Sequence, residues 1–358
     1  HLANTRKDKQ PGDPKVGGHP ASCASSIHLL SALHLLVREP QDYVCCKPHA
    51  SPVDHALHHL IGLFKHNHKV DWFKSESSDD WFTDEESEST MAGLRQFPTA
   101  ERPNTFQSYH AASDPDYWHF LPSGTVGIPP VCSGYLALAY RYARDHGWDV
   151  PEGTHFWSLI GDSEFREGSL LEAMPDFAER MLGNITWIID YNRQNLDGTR
   201  IPNERGLKGT DCDRIERTAI ANGWRVIHLR HGSAREELFK RSGGERLKAV
   251  LESGLSDYEF QLLALTRDAG RIREAWLNKD PELSELLGSM DDEEILAILQ
   301  DLGGHDIDRV IAALRASKEE PGEPFIIIAH TFKGWGLECL ADPANHSTLP
   351  GEAEVHQV

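Results

Sequence analysis

Asp162 and Asn192 carry the side chains of this 358-residue chain best suited to hard-cation chemistry. A carboxylate and an amide oxygen, joined by a nearby main-chain carbonyl, form a hard-oxygen set that suits Mg2+ or Ca2+. A phosphorylated cofactor would fill the remaining coordination positions with its own oxygens. Asp and Asn are also common turn formers and helix caps, so the pair gains meaning only from its surroundings. His55, His58 and His59 have a spacing that could hold a metal on one helix face. No nearby Cys or carboxylate completes that set, and the stretch reads as a His-rich amphipathic helix. Neither a GxSxG elbow nor a GxxxxGK[ST] loop occurs, which removes the serine-hydrolase and P-loop readings.

Twenty-nine residues separate Asp162 from Asn192, about one helix plus one strand. Residues 156–160 are apolar enough for a strand and end in Gly161-Asp162. A helix is expected from about 167 to 181, with Pro175 kinking or restarting it. Residues 185–189 form the next strand, ending in Asp190-Tyr191-Asn192. This βαβ unit implies parallel strands and a right-handed crossover. In open parallel sheets ligands sit beyond the carboxyl ends of the strands, so both side chains should enter one crevice. The intervening helix turns its N-terminus to the same place, which favours negative charge.

Elsewhere the pattern predicts a helix over 26–37, a short strand over 42–47 and a second helix to about residue 64. Residues 74–90, rich in Ser, Asp and Glu, read as a solvated loop or disordered insertion. Small apolar residues over 131–146 suit a buried helix. Strands are expected near 224–227 and 325–329, with a charged helical lobe over about 233–322. Strands alternating with helices imply an α/β fold, a doubly wound and mostly parallel sheet in one domain over 1–358.

Thirty-six basic residues against 56 acidic ones give a net charge of −20, the wrong sign for a nucleic-acid backbone binder. With no run of eighteen apolar residues, no membrane span is expected. The N-terminus has no apolar signal segment and lacks an initiator Met, so its start is expected to have been trimmed. The six cysteines show no CxxC spacing and point to free thiols in a reducing, cytoplasmic compartment.

Five ordered motifs add a family resemblance. The run Gly161-Asp162-Ser163-Glu164-Phe165-Arg166-Glu167-Gly168, followed by Asp190-Tyr191-Asn192-Arg193-Gln194-Asn195-Leu196-Asp197-Gly198, resembles the thiamine-diphosphate signature of the transketolase and pyruvate dehydrogenase E1 superfamily. Gly17-Gly18-His19-Pro20-Ala21-Ser22, His49-Ala50-Ser51-Pro52, Thr125-Val126-Gly127 and Ala329-His330-Thr331-Phe332-Lys333-Gly334 follow the family's order. The body is most similar to the homodimeric bacterial pyruvate dehydrogenase E1. The tail His346-Ser347-Thr348-Leu349-Pro350 is closer to transketolase.

The resemblance implies a thiamine-diphosphate-binding fold of the diphosphate (PP) type. Asp162 and Asn192 would be ligands to Mg2+ or Ca2+, and Gln194 would add its main-chain carbonyl. Gly127 would let the backbone approach the cofactor. Ser163, Glu164 and Lys333 are grouped with the cofactor contacts. His19, His49 and His346 would face the thiazolium and the donor substrate, with Tyr109 or His110 also reaching it. Glu167 would join a carboxylate contact with a neighbouring subunit. Ser163 replaces the usual Gly, and cofactor binding is expected to survive so small a change.

By the same resemblance, the chain stops where the diphosphate-binding domain ends. A pyrimidine-binding domain and its ring-activating glutamate would come from an E1β-like or transketolase C-terminal-like chain, in an α2β2 heterotetramer. The expected activity is transfer of a two-carbon acyl or ketol unit from a 2-oxoacid or ketose phosphate. The acceptor would be a lipoyl or carrier-protein thiol, as in some secondary-metabolite pathways. The alternatives are an ordinary transketolase N-terminal subunit acting on sugar phosphates and a non-catalytic structural subunit.

Overall fold

The computed structural model describes residues 4, 7, 9–13, 16–66, 81–111, 113–115, 121–196, 198–199, 209–319 and 322–357. Helix α1 (Pro20–Ala32) opens with Pro at its first position and runs into a π-helical turn, Leu33–Val37. Strand β1 (Tyr43–Cys45), a short turn (Pro48–Ala50) and α2 (Ser51–Leu60) follow. Next come α3 (Asp84–Ala92), α4 (Ile128–Asp145), β2 (Phe156–Gly161), α5 (Gly168–Glu179) and β3 (Ile185–Tyr191). A small hairpin, β4 (Gln194–Asn195) with β5 (Gly198–Thr199), leads to α6 (Asp211–Ala221) and β6 (Arg225–Leu229). Short helices fill residues 233–319, before β7 (Phe325–His330) and a terminal helix, α7 (Glu352–Gln357).

The main sheet has five strands in the order β1-β2-β3-β7-β6, and every pair is parallel. Strand side chains alternate between faces. Trp157, Leu159, Ile188, Ile327 and Ala329 pack under α1 with Leu29, Leu30 and Leu33. Phe156, Ile160, Trp187, Ile189 and Ile328 pack on the other side, with Leu170, Met174 and Phe177 of α5. Both faces are covered, so β2, β3 and β7 read as nearly unbroken apolar runs. The helices of 233–319 close over a third core containing Trp276, Ile272, Leu287 and Ile295.

Three local expectations change. Of the stretch 74–90, residues 74–80 lie outside the described residues, while 84–92 form a helix rather than a loop. The Thr83 hydroxyl accepts from the Glu86 N–H at 3.3 Å, and the Glu86 carboxylate accepts from the Thr83 N–H at 2.8 Å. That reciprocal cap satisfies two end donors, which composition alone does not reveal. Helix α5 passes through Pro175 without a break. Finally, the 18 residues Pro20–Val37, with mean hydropathy 1.4, are long and apolar enough to cross a membrane. No uninterrupted apolar run shows this, because serines and histidines punctuate it. Half of the stretch is buried within the fold, and Ser25 and Ser26 bond a buried carboxylate there.

Candidate cofactor and metal site

Four neighbouring strands deliver the site from their carboxyl ends, the usual ligand position in an open parallel sheet. Beyond β1 come Lys47 and His49, beyond β2 Asp162, beyond β3 Asn192, and beyond β7 Lys333. They meet around a cleft of ≈ 380 Å³. Of the residues singled out from sequence, His49, Asp162, Ser163, Glu164, Asn192, Gln194, Lys333 and His346 line it.

Asp162 is buried, and its carboxylate accepts backbone N–H bonds from Ser163 at 2.7 Å and Arg193 at 2.8 Å. Arg193 reaches it from a left-handed backbone, φ +66°, uncommon for a residue with a side chain. Burial, reinforced by the charge of Asp190, pushes the Asp162 carboxyl up to about 7. Asn192 is buried beside it. Its Oδ1 accepts from the Gln194 N–H at 3.1 Å, and its main-chain carbonyl accepts from Gln261 of the helical lobe at 3.0 Å. Gln194 sits on the same loop, where its side-chain Nε2 donates to the Asp342 carbonyl at 3.0 Å.

This donor set fits a divalent cation bearing a diphosphate. The Asp162 carboxylate is buried, with the charge of Asp190 opposing it and Lys47 offsetting only part of that cost, so a bound cation would stabilise it. An amide oxygen beside it is a suitable second hard ligand.

Glu164 closes the cleft's other wall. Its carboxylate accepts from the N–H of Gly127 at 2.9 Å and of Gly161 at 3.0 Å, tying two loops together. Burial pushes its carboxyl up, against those two bonds. Gly127 holds φ +81°, and a Cβ there would lie 2.4 Å from Cβ of Glu167. Only glycine fits at that position. Glu167 itself is exposed at the start of α5.

His19, His49 and His346 form one group, with ring centroids 3.9 Å (His19–His49), 4.7 Å (His19–His346) and 5.0 Å (His49–His346) apart. Tyr109 stands 5.9 Å from His49. Burial, with the neighbouring positive charges, pushes His49 down to about 3 and His346 to about 4. His19 is lowered by burial as well. Lys333, bonded to His346 Nδ1 at 3.2 Å, is pushed down to about 8 by burial and by Lys47. At neutral pH this is a cluster of neutral imidazoles beside an ammonium, able to take and return protons at an oxygen placed in the cleft.

His110 belongs elsewhere. Its Nε2 pairs with Asp54 at 2.9 Å and its Nδ1 with Ser123 at 3.0 Å, both buried away from the cleft. Adjacent residues on an irregular segment can face opposite ways, which the sequence cannot resolve. His55, His58 and His59 also diverge. His55 stacks on Phe106 at 4.0 Å, and His59 Nδ1 meets Ser87 at 2.6 Å. His58 lies beside His34 and Asp54, and His55 near Asp114, so carboxylates do stand by these histidines, contrary to the sequence expectation, because the neighbours that count come from the packed helix face and a distant loop.

Sequence reasoning missed the group beneath the cleft. Asp190 accepts from Ser25 at 2.6 Å, Ser26 at 2.9 Å, Lys47 and Thr331. Burial alone would raise its carboxyl, but Lys47 and the hydroxyls outweigh it and hold it low. One signal was present. An aspartate inside the apolar strand Ile185–Tyr191 demands a buried partner.

No protein-family profile matches the chain. It is 30% identical over 250 residues to the pyruvate dehydrogenase E1 component of Corynebacterium glutamicum, covering 70% of this chain and 26% of that one. The Escherichia coli K12 E1 component is 29% identical over 259 residues, covering 72% and 28%. Among solved structures, transketolase from Leishmania mexicana superposes with a TM-score of 0.54 at 15% identity, covering 95% of this chain and 37% of that one. The Campylobacter jejuni transketolase gives 0.54 at 15%, covering 95% and 38%. The chain therefore spans about a quarter of the length of the curated relatives it matches.

Proposed function

Because the chain belongs to the thiamine-diphosphate-dependent superfamily of pyruvate dehydrogenase E1 components and transketolases, we propose that it forms the diphosphate- and metal-holding half of an active site for two-carbon transfer. The observation that carries this reading is the buried Asp162 beside Asn192 at the ends of adjacent strands, in one cleft with His49 and His346.

Thiamine diphosphate, when bound, supplies the carbanion chemistry that cleaves the bond beside a ketone or 2-oxoacid carbonyl. Asp162, Asn192 and the Gln194 main-chain carbonyl would hold the divalent cation, Mg2+ or Ca2+. Gly127 and Gly161, clamped by Glu164, keep the backbone close to the cofactor. His19, His49 and His346 move protons to and from the donor's oxygens, with Tyr109 beside them. Lys333 holds positive charge next to His346. Glu167 joins a carboxylate contact with a neighbouring subunit, a role that its exposure beside Gly127 supports.

The activating glutamate for the aminopyrimidine ring comes from sequence beyond these residues, an E1β-like or transketolase C-terminal-like chain in the heterotetramer. The donor is a 2-oxoacid or a ketose phosphate and the acceptor a lipoyl or carrier-protein thiol. The free cysteines support a reducing, cytoplasmic setting.

Calorimetry on the chain mixed with its partner tests this directly. Thiamine diphosphate should bind only with Mg2+ present, and Asp162→Ala should abolish binding. Failure of the mixture to take up cofactor sinks the enzyme reading in favour of a structural subunit. Offering pyruvate and a ketose phosphate to the reconstituted pair then separates the donors.

A further inference from the structure

We propose that the lobe helix Asp257–Thr266 sets the metal affinity of the cleft, by holding Arg193 in the backbone shape that aims Asp162 and the loop 192–194. Arg193, Asp257 and Gln261 thereby join, as positioning residues, the metal site of the proposed function, on which this inference rests.

Arg193 stands between Asn192 and Gln194, the two loop residues whose oxygens would reach the cation. Its N–H donates to Asp162 Oδ2 at 2.8 Å from a left-handed backbone, φ +66°. That conformation is disfavoured for an L-residue by roughly tenfold in population or more. The residue is not glycine, so packing must supply what the backbone resists. Asp162 keeps room for a cation, since each carboxylate oxygen has a second lone pair beyond its N–H bond.

The Arg193 side chain supplies the hold. Nε pairs with Asp257 Oδ1 at 3.2 Å, Nη1 donates to the Thr331 carbonyl at 3.2 Å, and Nη2 donates to His330 Nδ1 at 2.6 Å. An arginine cannot accept, so His330 Nδ1 is bare and its Nε2–H donates to His228 Nε2 at 3.0 Å. The guanidinium also lies over the rings of Phe260 and Tyr191, 4.6 and 5.0 Å from their centroids. Arg193 and Asp257 are only 9% and 8% exposed.

Asp257, Phe260 and Gln261 have i, i+3, i+4 spacing and share one helix face. All three are buried, whereas Tyr258 and Leu262 on the other side are exposed. Asp257 also accepts from the Tyr191 hydroxyl at 2.5 Å, and Gln261 Nε2 donates to the Asn192 carbonyl at 3.0 Å. One helix face therefore grips three consecutive residues, Tyr191, Asn192 and Arg193. The helix is itself fixed at both ends. Ser256 and Glu259 cap its start, and Arg267 at its end donates to the carbonyls of Leu337 and Glu338 at 3.2 and 3.1 Å.

Loss of the grip lets residue 193 relax, and apparent affinity then falls with the fraction of loops still in the binding shape. Charge alone predicts the opposite sign, because removing a guanidinium beside a cation site favours the cation.

The test is calorimetric titration of Mg2+ with thiamine diphosphate into the full chain mixed with its partner. R193A should weaken uptake by about tenfold or more. R193G should bind more tightly than R193A, since glycine takes a positive φ at no steric cost. Q261M, which keeps the arginine, should weaken uptake severalfold. In the wild type, loading should slow amide exchange in residues 257–266 severalfold, because coupling between two sites is reciprocal. R193A or Q261M at wild-type affinity, R193A and R193G at equal affinity, or wild-type exchange unaltered by loading each overturns this proposal alone. A wild-type mixture that takes up no cofactor overturns the two-carbon-transfer reading and this inference with it.

Discussion

Lys47 and Asp190 form an ion pair at the root of the cofactor cleft, with side chains only 5% and 0% exposed. Among the described residues, Lys47 is the one ammonium directly bonded to Asp190, whose remaining side-chain partners are hydroxyls. Removing one member of a buried pair strands the other charge, at a cost of about 3–5 kcal/mol. Lys47→Met should therefore lower unfolding free energy in urea by about that amount. Adding Asp190→Asn should return most of it, since the pair is then neutral. If the double variant unfolds no later than the single one, the pair is not what stabilises this region.

Glu164→Gln tests the clamp between the Gly127 and Gly161 loops. A carboxylate accepts both N–H groups, whereas an amide offers one acceptor and turns its own N–H toward the other donor. One buried donor is left without a partner, a loss of about 1–3 kcal/mol. The melting temperature should fall, and cofactor affinity should fall with it. Unchanged affinity in a folded variant would mean the clamp does not shape the cleft.

Gly127→Ala meets two penalties. The left-handed backbone at φ +81° costs an L-residue about 1–2 kcal/mol, and the new methyl lands against Glu167. Moving that loop should weaken Mg2+-dependent thiamine diphosphate binding by about tenfold or more. Wild-type affinity by calorimetry would contradict close approach of this backbone to the cofactor.

His155 gives the stability a pH dependence of known sign. It is buried, with Nε2 on Thr186 Oγ1 at 2.8 Å. Burial and the nearby Lys318 push it from 6.5 down to about 3. Between those values the unfolded chain carries a proton at this site and the folded chain does not. Stability therefore rises with pH through that window and is lost as pH falls below about 6.5. One such group contributes a slope of up to about 1.4 kcal/mol per pH unit. His155→Gln should flatten the urea-derived stability profile between about pH 4 and 6 by that slope. A profile parallel to wild type would show that folded His155 is already protonated there.

Much of the frame was legible along the chain. The apolar runs at Phe156–Gly161, Ile185–Tyr191 and Phe325–His330 marked strands buried on both faces. Gly161-Asp162 and Asn192, each at a strand's carboxyl end, marked the crevice between them. These are local signals, since strand direction and strand end together determine where a side chain emerges.

Only the folded chain decided the pairings across long sequence distances. Lys47 meets Asp190 across 143 residues, Ser25 meets it across 165, and Gln261 reaches Asn192 across 69. It also turned His110 onto Asp54, leaving Tyr109 beside His49. It took Pro20–Val37, apolar enough for a membrane, and set its serines on a buried carboxylate. Residue type and spacing establish what a side chain can do and which way a regular element presents it. The partner that satisfies a buried charge is determined by which elements pack together, and that is a property of the whole chain.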